Sequence, residues 1–243
     1  MKRKTKRLLA RLLALVMVLS LCEITLGQST PVKAAVTLQN PTTDGNGVTT
    51  WDCIYFGNYY QSNSSTKEPI KWRVLSVNGN DAFLLADKNL DDKLYNKEHT
   101  SVTWATCTLR TWLNDKFLNE AFTPEEQDKI LITYVSADEN PRFDVYQGAS
   151  TQDKIFILSI NEAEKYFNSP KERLCEPTDY VLAKRPYISN VDGVNSCHWW
   201  LRTHGKFDGS STYVTSTGYT YELGDGVTAD QYCIRPAMWI SCT

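Results

Sequence analysis

Few residues of this chain are suited to acid–base or nucleophilic chemistry, and they do not form a catalytic motif. The chain has three histidines, His99, His198 and His204. It lacks serine-nucleophile, zinc-protease and phosphate-binding signatures. Cys197 precedes His198, but adjacent side chains on a strand point to opposite faces, so no thiolate–imidazole pair is expected. Cys197, His198 and Cys233 also do not have the spacing of zinc-finger ligands. The sequence therefore predicts no catalytic residue, metal site or cofactor.

One acidic pattern resembles a calcium-binding loop in part. Positions 1, 3, 5 and 12 of an EF-hand loop would be Asp87, Asn89, Asp91 and Glu98. Position 6, where the loop must turn sharply and glycine is usual, is Asp92. The preceding residues 83–86 have the pattern of a strand, whereas an EF-hand needs a helix there. A polar loop after a hairpin is therefore the preferred interpretation.

A second acidic group lies near the C-terminus, where Glu222, Asp225 and Asp230 share one segment. Paired carboxylates are the machinery of glycoside hydrolysis. Nothing in the sequence distinguishes an acid from a base, and Asp225 with Asp230 is only a weak calcium pattern. Solvated loop charges are the favoured interpretation of all three.

The most distinctive stretch is the aromatic segment in the last 50 residues. Tryptophans and tyrosines alternate there with glycine, serine, threonine and aspartate, a composition typical of adaptable binding loops. Strand alternation predicts that only one of Trp199 and Trp200 is exposed. The predicted ligand-binding residues are Trp199, His204, Tyr213, Tyr219, Tyr221, Glu222 and Tyr232.

These residues must be positioned by strands at both ends of the domain and helices in the middle. Alternation over residues 70–75 and the Asn78-Gly79 pair predict a β-hairpin. Helical spacing predicts a helix over 106–119, and capping boxes at Thr123 and Ser159 start two more. A strand is expected over 154–158 and a short helix over 178–183. The predicted fold class is α+β, with the terminal strands in one sheet.

The N-terminus has the organisation of a secretory signal peptide. A basic start is followed by a short apolar stretch over residues 8–21 and by Val32-Lys33-Ala34, which predicts cleavage after Ala34. We expect a signal peptide over 1–34, a flexible linker over 35–50 and a single domain over 51–243. The expected location is secreted or extracellular, with no stable membrane insertion after cleavage.

The net charge limits the classes of possible partner, and the cysteine content limits the possible disulfides. Residues 1–34 hold 7 basic and 1 acidic residue, which leaves 19 basic and 27 acidic residues in the remainder. A net charge of about −8 argues against a nucleic-acid partner, which needs a basic face. Six cysteines remain, an even number that permits disulfides without choosing among fifteen pairings. They are Cys53, Cys107, Cys175, Cys197, Cys233 and Cys242.

The order of several motifs resembles a bacterial family of domains of unknown function. Its members carry Trp-Trp-Leu-Arg-Ser-Pro-Gly and end in Arg-Pro-Ala-Leu-Trp. The corresponding segments here are residues 199–205 and 235–240. Further matches are Tyr213-Val214 with Gly218, and residues 54–59, 71–75, 108–110 and 112–114. The likeness spans about residues 51–240. Thr203-His204 replaces the usual Ser-Pro.

The family is similar to the C-type-lectin-like fold, in the branch that includes formylglycine-generating enzymes. The resemblance implies paired terminal strands, a glycine-rich region that presents a binding surface, and structural roles for Arg202 and Arg235. We therefore expect an exported, non-catalytic module that binds a glycan or a surface protein. The alternatives are an enzyme, either a formylglycine-generating-like oxidase or a cell-wall hydrolase, and a purely structural surface domain.

Overall fold

The computed structural model describes residues 37–243, so the predicted signal peptide and its cleavage site lie outside the described residues. Strands dominate, joined mainly in antiparallel fashion, with short helices between them. The predicted α+β class is confirmed, with β structure in the majority. Among residues 37–243, no helix has the length and apolar character that a membrane crossing requires.

The strands in chain order are β1 Thr42–Thr43, β2 Thr49–Thr50, β3 Cys53–Tyr60, β4 Lys67–Asn78, β5 Asp81–Ala86, β6 Asp91–Asp92, β7 Thr133–Val135, β8 Thr151–Asp153, β9 Ile188–Val191, β10 Val194–Cys197, β11 Trp199–His204, β12 Ser210–Val214, β13 Thr220–Gly226, β14 Cys233–Ile234 and β15 Ala237–Ser241. The helices are α1 Thr108–Trp112, α2 Leu118–Ala121, α3 Pro124–Lys129, α4 Ile160–Tyr166, α5 Pro170–Arg173 and α6 Asp179–Leu182, with a π-helical turn Leu113–Phe117 between α1 and α2.

A four-stranded antiparallel sheet in the order β15-β5-β4-β3 contains the first long strands and the last one. β4 and β5 form the predicted hairpin, and Gly79 adopts φ 61° in its turn. β15 pairs with β5, placing Trp239 opposite Phe83. The expectation that the terminal strands share a sheet is therefore met, although β3 and β15 lie at opposite edges.

A five-stranded sheet in the order β13-β12-β11-β14-β6 carries the aromatic segment. Its pairings are antiparallel except that of β11 with β14. The register shifts between Trp200 and His204, which marks a bulge within β11. Trp199 and Trp200 lie on opposite faces of this strand and are both fully buried. Side chains therefore cover the sheet on both faces at this point.

The helices begin where the sequence indicates. Thr123 and Ser159 both form capping boxes, at the starts of α3 and α4, and α6 lies within the predicted 178–183 helix. The helix expected over 106–119 is present as α1, the π-helical turn and α2. The strand expected over 154–158 is wrong: β8 ends at Asp153, and Phe156 forms only an isolated bridge with Ala237.

Residues 42–50, predicted to belong to a flexible linker, form the β1–β2 hairpin. The Asp44 carboxylate accepts hydrogen bonds from two backbone N–H groups of the turn, which also lower its pKa. Glu172 accepts a hydrogen bond from the Thr49 N–H at 3.1 Å, and the Asn168 amide donates to Thr43 and Thr49. These long-range hydrogen bonds are the physical reason for the difference from the linker expected from composition.

Arg202 is a fully paired buried arginine. It is 4% exposed and donates to the carbonyl oxygens of Ser136 and Ile157. It also forms ion pairs with Asp138, at 3.2 Å, and with Glu162 through both terminal nitrogens. Arg202 thus ties β11 to α4 and to the loop that follows β7.

Arg235 is fully buried in a different environment. Its Nε donates to the Ala86 carbonyl oxygen at 3.0 Å, while its terminal nitrogens have no hydrogen-bond partner among the described residues. The guanidinium lies over the rings of Phe167 and Trp199, at 5.4 and 5.2 Å. Burial lowers the pKa of Arg235 to about 10. The two aromatic faces therefore provide cation–π contacts where the terminal nitrogens lack hydrogen-bond partners.

Candidate functional site

One face of the five-stranded sheet carries a row of aromatic side chains. The strand register sets Trp200 opposite Tyr213, and Tyr213 opposite Tyr221. The Tyr213 and Tyr221 rings lie 5.2 Å apart. Tyr219 is 61% exposed and lies just before β13, two residues from Tyr221. We call Tyr187, His198, Tyr213, Tyr219 and Tyr221 the tyrosine face.

The tyrosine face continues into the core as a stack of rings. Tyr187 lies parallel to His198, with 4.7 Å between centroids and 2° between planes. His198 stacks on Tyr232 at 5.5 Å, and Tyr232 stacks on Trp200 at 4.0 Å. Tyr187 is half exposed, whereas Trp200 is fully buried. The buried rings therefore hold the exposed ones in place, which lowers the entropy cost of contacting a ligand.

Two polar contacts orient the rings. The Tyr232 hydroxyl donates to Asp225 at 2.7 Å, and burial, together with this carboxylate, raises the pKa of Tyr232. His198 Nδ1 accepts a hydrogen bond from the Ser216 N–H at 2.8 Å. Burial lowers the pKa of His198, although the nearby Asp225 opposes the shift. His198 is thus a neutral imidazole at neutral pH, with its proton on Nε2.

The structure separates the seven predicted ligand-binding residues into two groups. Tyr219 and Tyr221 are 61% and 40% exposed, and Tyr213 and Glu222 are partly buried. The remaining three, Trp199, His204 and Tyr232, are buried, at 0%, 6% and 5% exposure. Of the seven residues, only the first group therefore has side-chain surface accessible in this conformation.

The expectation that one of Trp199 and Trp200 is exposed is wrong. The Trp199 Nε1 donates to the Arg173 carbonyl oxygen at 3.3 Å, and the Trp200 Nε1 donates to that of Lys93 at 3.1 Å. Each indole thus finds an acceptor in a different layer of the protein. His204 is held as well, since its backbone N–H donates to the Gln147 side chain at 2.7 Å.

Three buried thiols lie behind the sheet. Burial raises the pKa of the Cys233 thiol well above its ordinary value, and the neighbouring Cys197 thiol adds to the rise. Burial also raises the pKa of Cys175 to about 11. The six cysteines of residues 37–243 are free thiols. A protonated thiol is a poor nucleophile. Within the described residues, no group of three or more His, Cys, Asp or Glu side chains is arranged to hold a metal ion.

The EF-hand-like residues do not converge on a common point. Asp87 pairs with basic side chains of β4. The Asn89 amide donates to the Cys175 carbonyl oxygen. Asp91 is 1% exposed and accepts a hydrogen bond from Tyr59 at 2.8 Å, beside two lysines. Each side chain therefore has its own structural partners.

Sequence reasoning missed Tyr187 and His198 as parts of the tyrosine face. Tyr187 lies outside the aromatic segment and just before β9. In the sequence, His198 stands out only as the neighbour of Cys197. The sequence did contain one usable signal: His198 is two residues from Trp200, which places both on one face of the extended chain.

Comparison with known proteins identifies the family. A family model described as "Domain of unknown function (DUF6273)" matches residues 79–242. No curated protein and no solved structure shows significant similarity to the chain. The matched region includes α1–α6 and all the strands from β5 to β15. It covers more than half of the sequence, and the chain therefore belongs to the DUF6273 family.

Proposed function

We propose that this protein is an exported, non-catalytic module that binds glycans through its tyrosine face. One observation carries the proposal: a continuous ring stack runs from the half-exposed Tyr187 through His198 and Tyr232 to the buried Trp200. Such a stack fixes aromatic area at the surface before a ligand arrives. Rigid tyrosines give contact area at low entropy cost.

The chemistry of the face suits a sugar. Pyranose rings have apolar C–H surfaces that lie against aromatic rings, and hydroxyl groups at their edges that seek polar partners. Tyr187 and Tyr221 offer ring surface, and the tyrosine hydroxyls offer hydrogen-bonding groups. The face is carried by the pairing of β11, β12 and β13, which keeps the rings in a fixed row. A polysaccharide chain is the matching shape.

The C-type-lectin-like fold and export form part of the same proposal. The fold is supported by the shared sheet of the terminal strands and by the glycine-punctuated stretch from 205 to 232. Export is supported by the basic and apolar pattern of residues 1–34. The raised pKa values of Cys175 and Cys233 favour binding over an enzyme that uses these thiols, such as the formylglycine-generating-like oxidase among the alternatives.

The test is glycan binding by the tyrosine face. The full chain is screened on an array of bacterial and plant polysaccharides, and hits are measured by calorimetry. Tyr187→Ala and Tyr221→Ala are each expected to weaken binding about tenfold, since a stacked ring contributes about 1–1.5 kcal/mol. Tyr134→Ala is the control, because this tyrosine is 67% exposed on a different sheet.

Two results would contradict the proposal. One is an array without hits in the presence of a correctly folded chain. The other is glycan binding that both face variants leave unchanged. If the face variants instead abolish binding to a cell-surface protein, the ligand is a protein and the glycan assignment is wrong.

A further inference from the structure

Two cavities meet on the outer side of the four-stranded sheet. The larger has a volume of about 590 Å³ and lies between β1–β2, Trp51 and the segment around α5. The smaller, of about 260 Å³, lies between Tyr55 and the start of α6. Asp87 and Lys88 line both cavities. We call the combined depression the sheet groove. Its size is in the range of small-ligand sites.

The centre of the sheet groove is a fixed ionic cluster. Lys71 and Arg73 are two residues apart on β4 and so share a face. Asp87 accepts from Lys71 Nζ at 3.3 Å and from Arg73 Nε at 2.5 Å. Burial alone would raise the pKa of Asp87, but the two cations outweigh it and hold the pKa below its ordinary value. The carboxylate is therefore ionised and positioned without a ligand.

The charges that line the groove cancel. The basic residues are Lys71, Arg73, Lys88 and Lys171, and the acidic residues are Asp87, Glu172, Glu176 and Asp179. Most are paired within the protein: Lys88 lies 3.9 Å from Glu176, and Glu172 accepts from backbone N–H groups. A polyanion or a polycation would find no complementary field here. A neutral ligand with many hydroxyl groups would find donors and acceptors already oriented.

Each cavity also has one aromatic side chain. Trp51 lines the larger one, with the Arg73 guanidinium 5.2 Å from its ring centroid and the Phe167 ring at 5.8 Å. Tyr55 lines the smaller one and is 70% exposed. An aromatic ring at each end and oriented polar groups between them suit a chain of sugar units.

We propose that the sheet groove binds a neutral oligosaccharide, as a second site independent of the tyrosine face. Trp51 and Tyr55 would contact sugar rings in the two cavities, and Asp87 and Lys88 would bind hydroxyl groups where the cavities meet. The β1–β2 hairpin forms one wall through Asn46, Gly47, Val48 and Thr49. This wall gives the hairpin a role beyond connecting the N-terminus to the domain.

The experiment uses the full chain and a panel of neutral hexasaccharides: cellohexaose, chitohexaose, maltohexaose and xylohexaose. Calorimetry is expected to show binding of at least one of them. Trp51→Ala and Tyr55→Ala should each weaken it about tenfold. The 80% exposed Tyr146 supplies a matched control, Tyr146→Ala, that should leave affinity unchanged. Lys88→Ala changes a 46% exposed side chain where the two cavities meet and should also weaken binding.

The outcomes separate this site from the tyrosine face. Loss of binding in Trp51→Ala and Tyr55→Ala, with Tyr221→Ala unaffected, supports the groove. The reverse pattern overturns the groove proposal and leaves the proposed function intact. Absence of binding to all four hexasaccharides, or salt-sensitive binding to a hyaluronan hexasaccharide alone, also overturns it. Circular dichroism of each variant identifies one that fails to fold, and Lys88→Ala then decides.

Discussion

Arg202→Met and Arg235→Met remove two buried guanidinium groups whose surroundings differ, so their effects on stability should differ as well. Arg202 has two carboxylate partners and two carbonyl partners. Arg235 has one carbonyl partner and two aromatic rings. Methionine is long enough to fill much of either site without introducing a charge. Comparing the two variants thus tests whether ion pairing or burial dominates the effect of a buried arginine on stability.

For Arg202→Met we expect a large loss of stability. The substitution leaves Asp138 and Glu162, whose side chains are 20% and 25% exposed, without their cation. Breaking a buried ion pair by removing one partner typically costs about 3–5 kcal/mol. At about 2–4 °C per kcal/mol for a domain of this size, the midpoint of thermal unfolding should fall by roughly 10 °C.

For Arg235→Met the opposing effects nearly cancel. The fall in the pKa of Arg235 to about 10 means that burial penalises the charged form by about 3 kcal/mol. Methionine removes this penalty. It also loses one charged hydrogen bond, which contributes about 1.5–3 kcal/mol, and two contacts with aromatic faces. The midpoint should therefore change by no more than about 4 °C in either direction.

Both variants and the wild type are compared by calorimetry and urea unfolding at pH 7. Equal destabilisation of Arg235→Met and Arg202→Met would contradict the expected difference between the two sites. Unfolding of Arg202→Met at the wild-type midpoint would contradict the expected cost of the lost ion pairs. A double variant, Glu162→Gln with Arg202→Met, should recover part of the loss, because it removes one of the two orphaned carboxylates.

Two further predictions concern single positions. Burial raises the pKa of Asp92 to about 6, so the folded state holds the proton more tightly than the unfolded state and stability falls as pH rises from about 4 to 6. Asp92→Asn should therefore be more stable than the wild type by about 1–2 kcal/mol at pH 7.5, after allowance for solvent screening at this partly exposed site. Below pH 4 the two proteins should be equally stable. An equal gain in stability at both pH values, measured by urea unfolding, would contradict this. Gly218 has φ 86°, and an added Cβ would lie 1.8 Å from the Pro170 carbonyl oxygen. Gly218→Ala should therefore lower the free energy of unfolding by about 3 kcal/mol, as measured by thermal unfolding. Gly193→Ala, at φ 83° with open space around it, should cost only about 1 kcal/mol, and equal losses would rule out the steric explanation.

Local signals in the sequence predicted local structure well. The Asn78-Gly79 pair predicted the hairpin, whose two turn residues are Gly79 and Asn80, and Gly79 adopts the positive φ that the turn needs. The capping boxes at Thr123 and Ser159 work through hydrogen bonds within four residues. These interactions do not depend on the rest of the fold, and so they can be inferred from short segments alone.

The aromatic segment was harder to interpret, because alternation predicts exposure only where one face of a sheet meets water. Here Arg235 packs on Trp199, while Tyr95 and Tyr232 pack on Trp200. The partners that bury the two indoles are distant in sequence. Nothing in the local pattern of residues 199–202 indicates that both faces are covered.

The sheet groove is also a product of long-range pairing. Trp51, Arg73, Asp87 and Glu172 are separated by up to 121 residues, yet they line one cavity. In the sequence, Asp87 is notable only as position 1 of the partial EF-hand pattern. Its actual partners are set by the register of β4 and β5, which the sequence indicates only roughly.

The pairing of β15 with β5 has a consequence for how the chain folds. The 150 residues from Asp87 to Pro236 separate the two strands. The β4–β5 hairpin can form early from local contacts, but its β5 edge must wait for β15. Closing so long a loop slows folding. The unpaired β5 edge is available to other strands until β15 has joined the sheet. Chaperones that cover the β5 edge should therefore raise the yield of native protein more than chaperones that bind the helices.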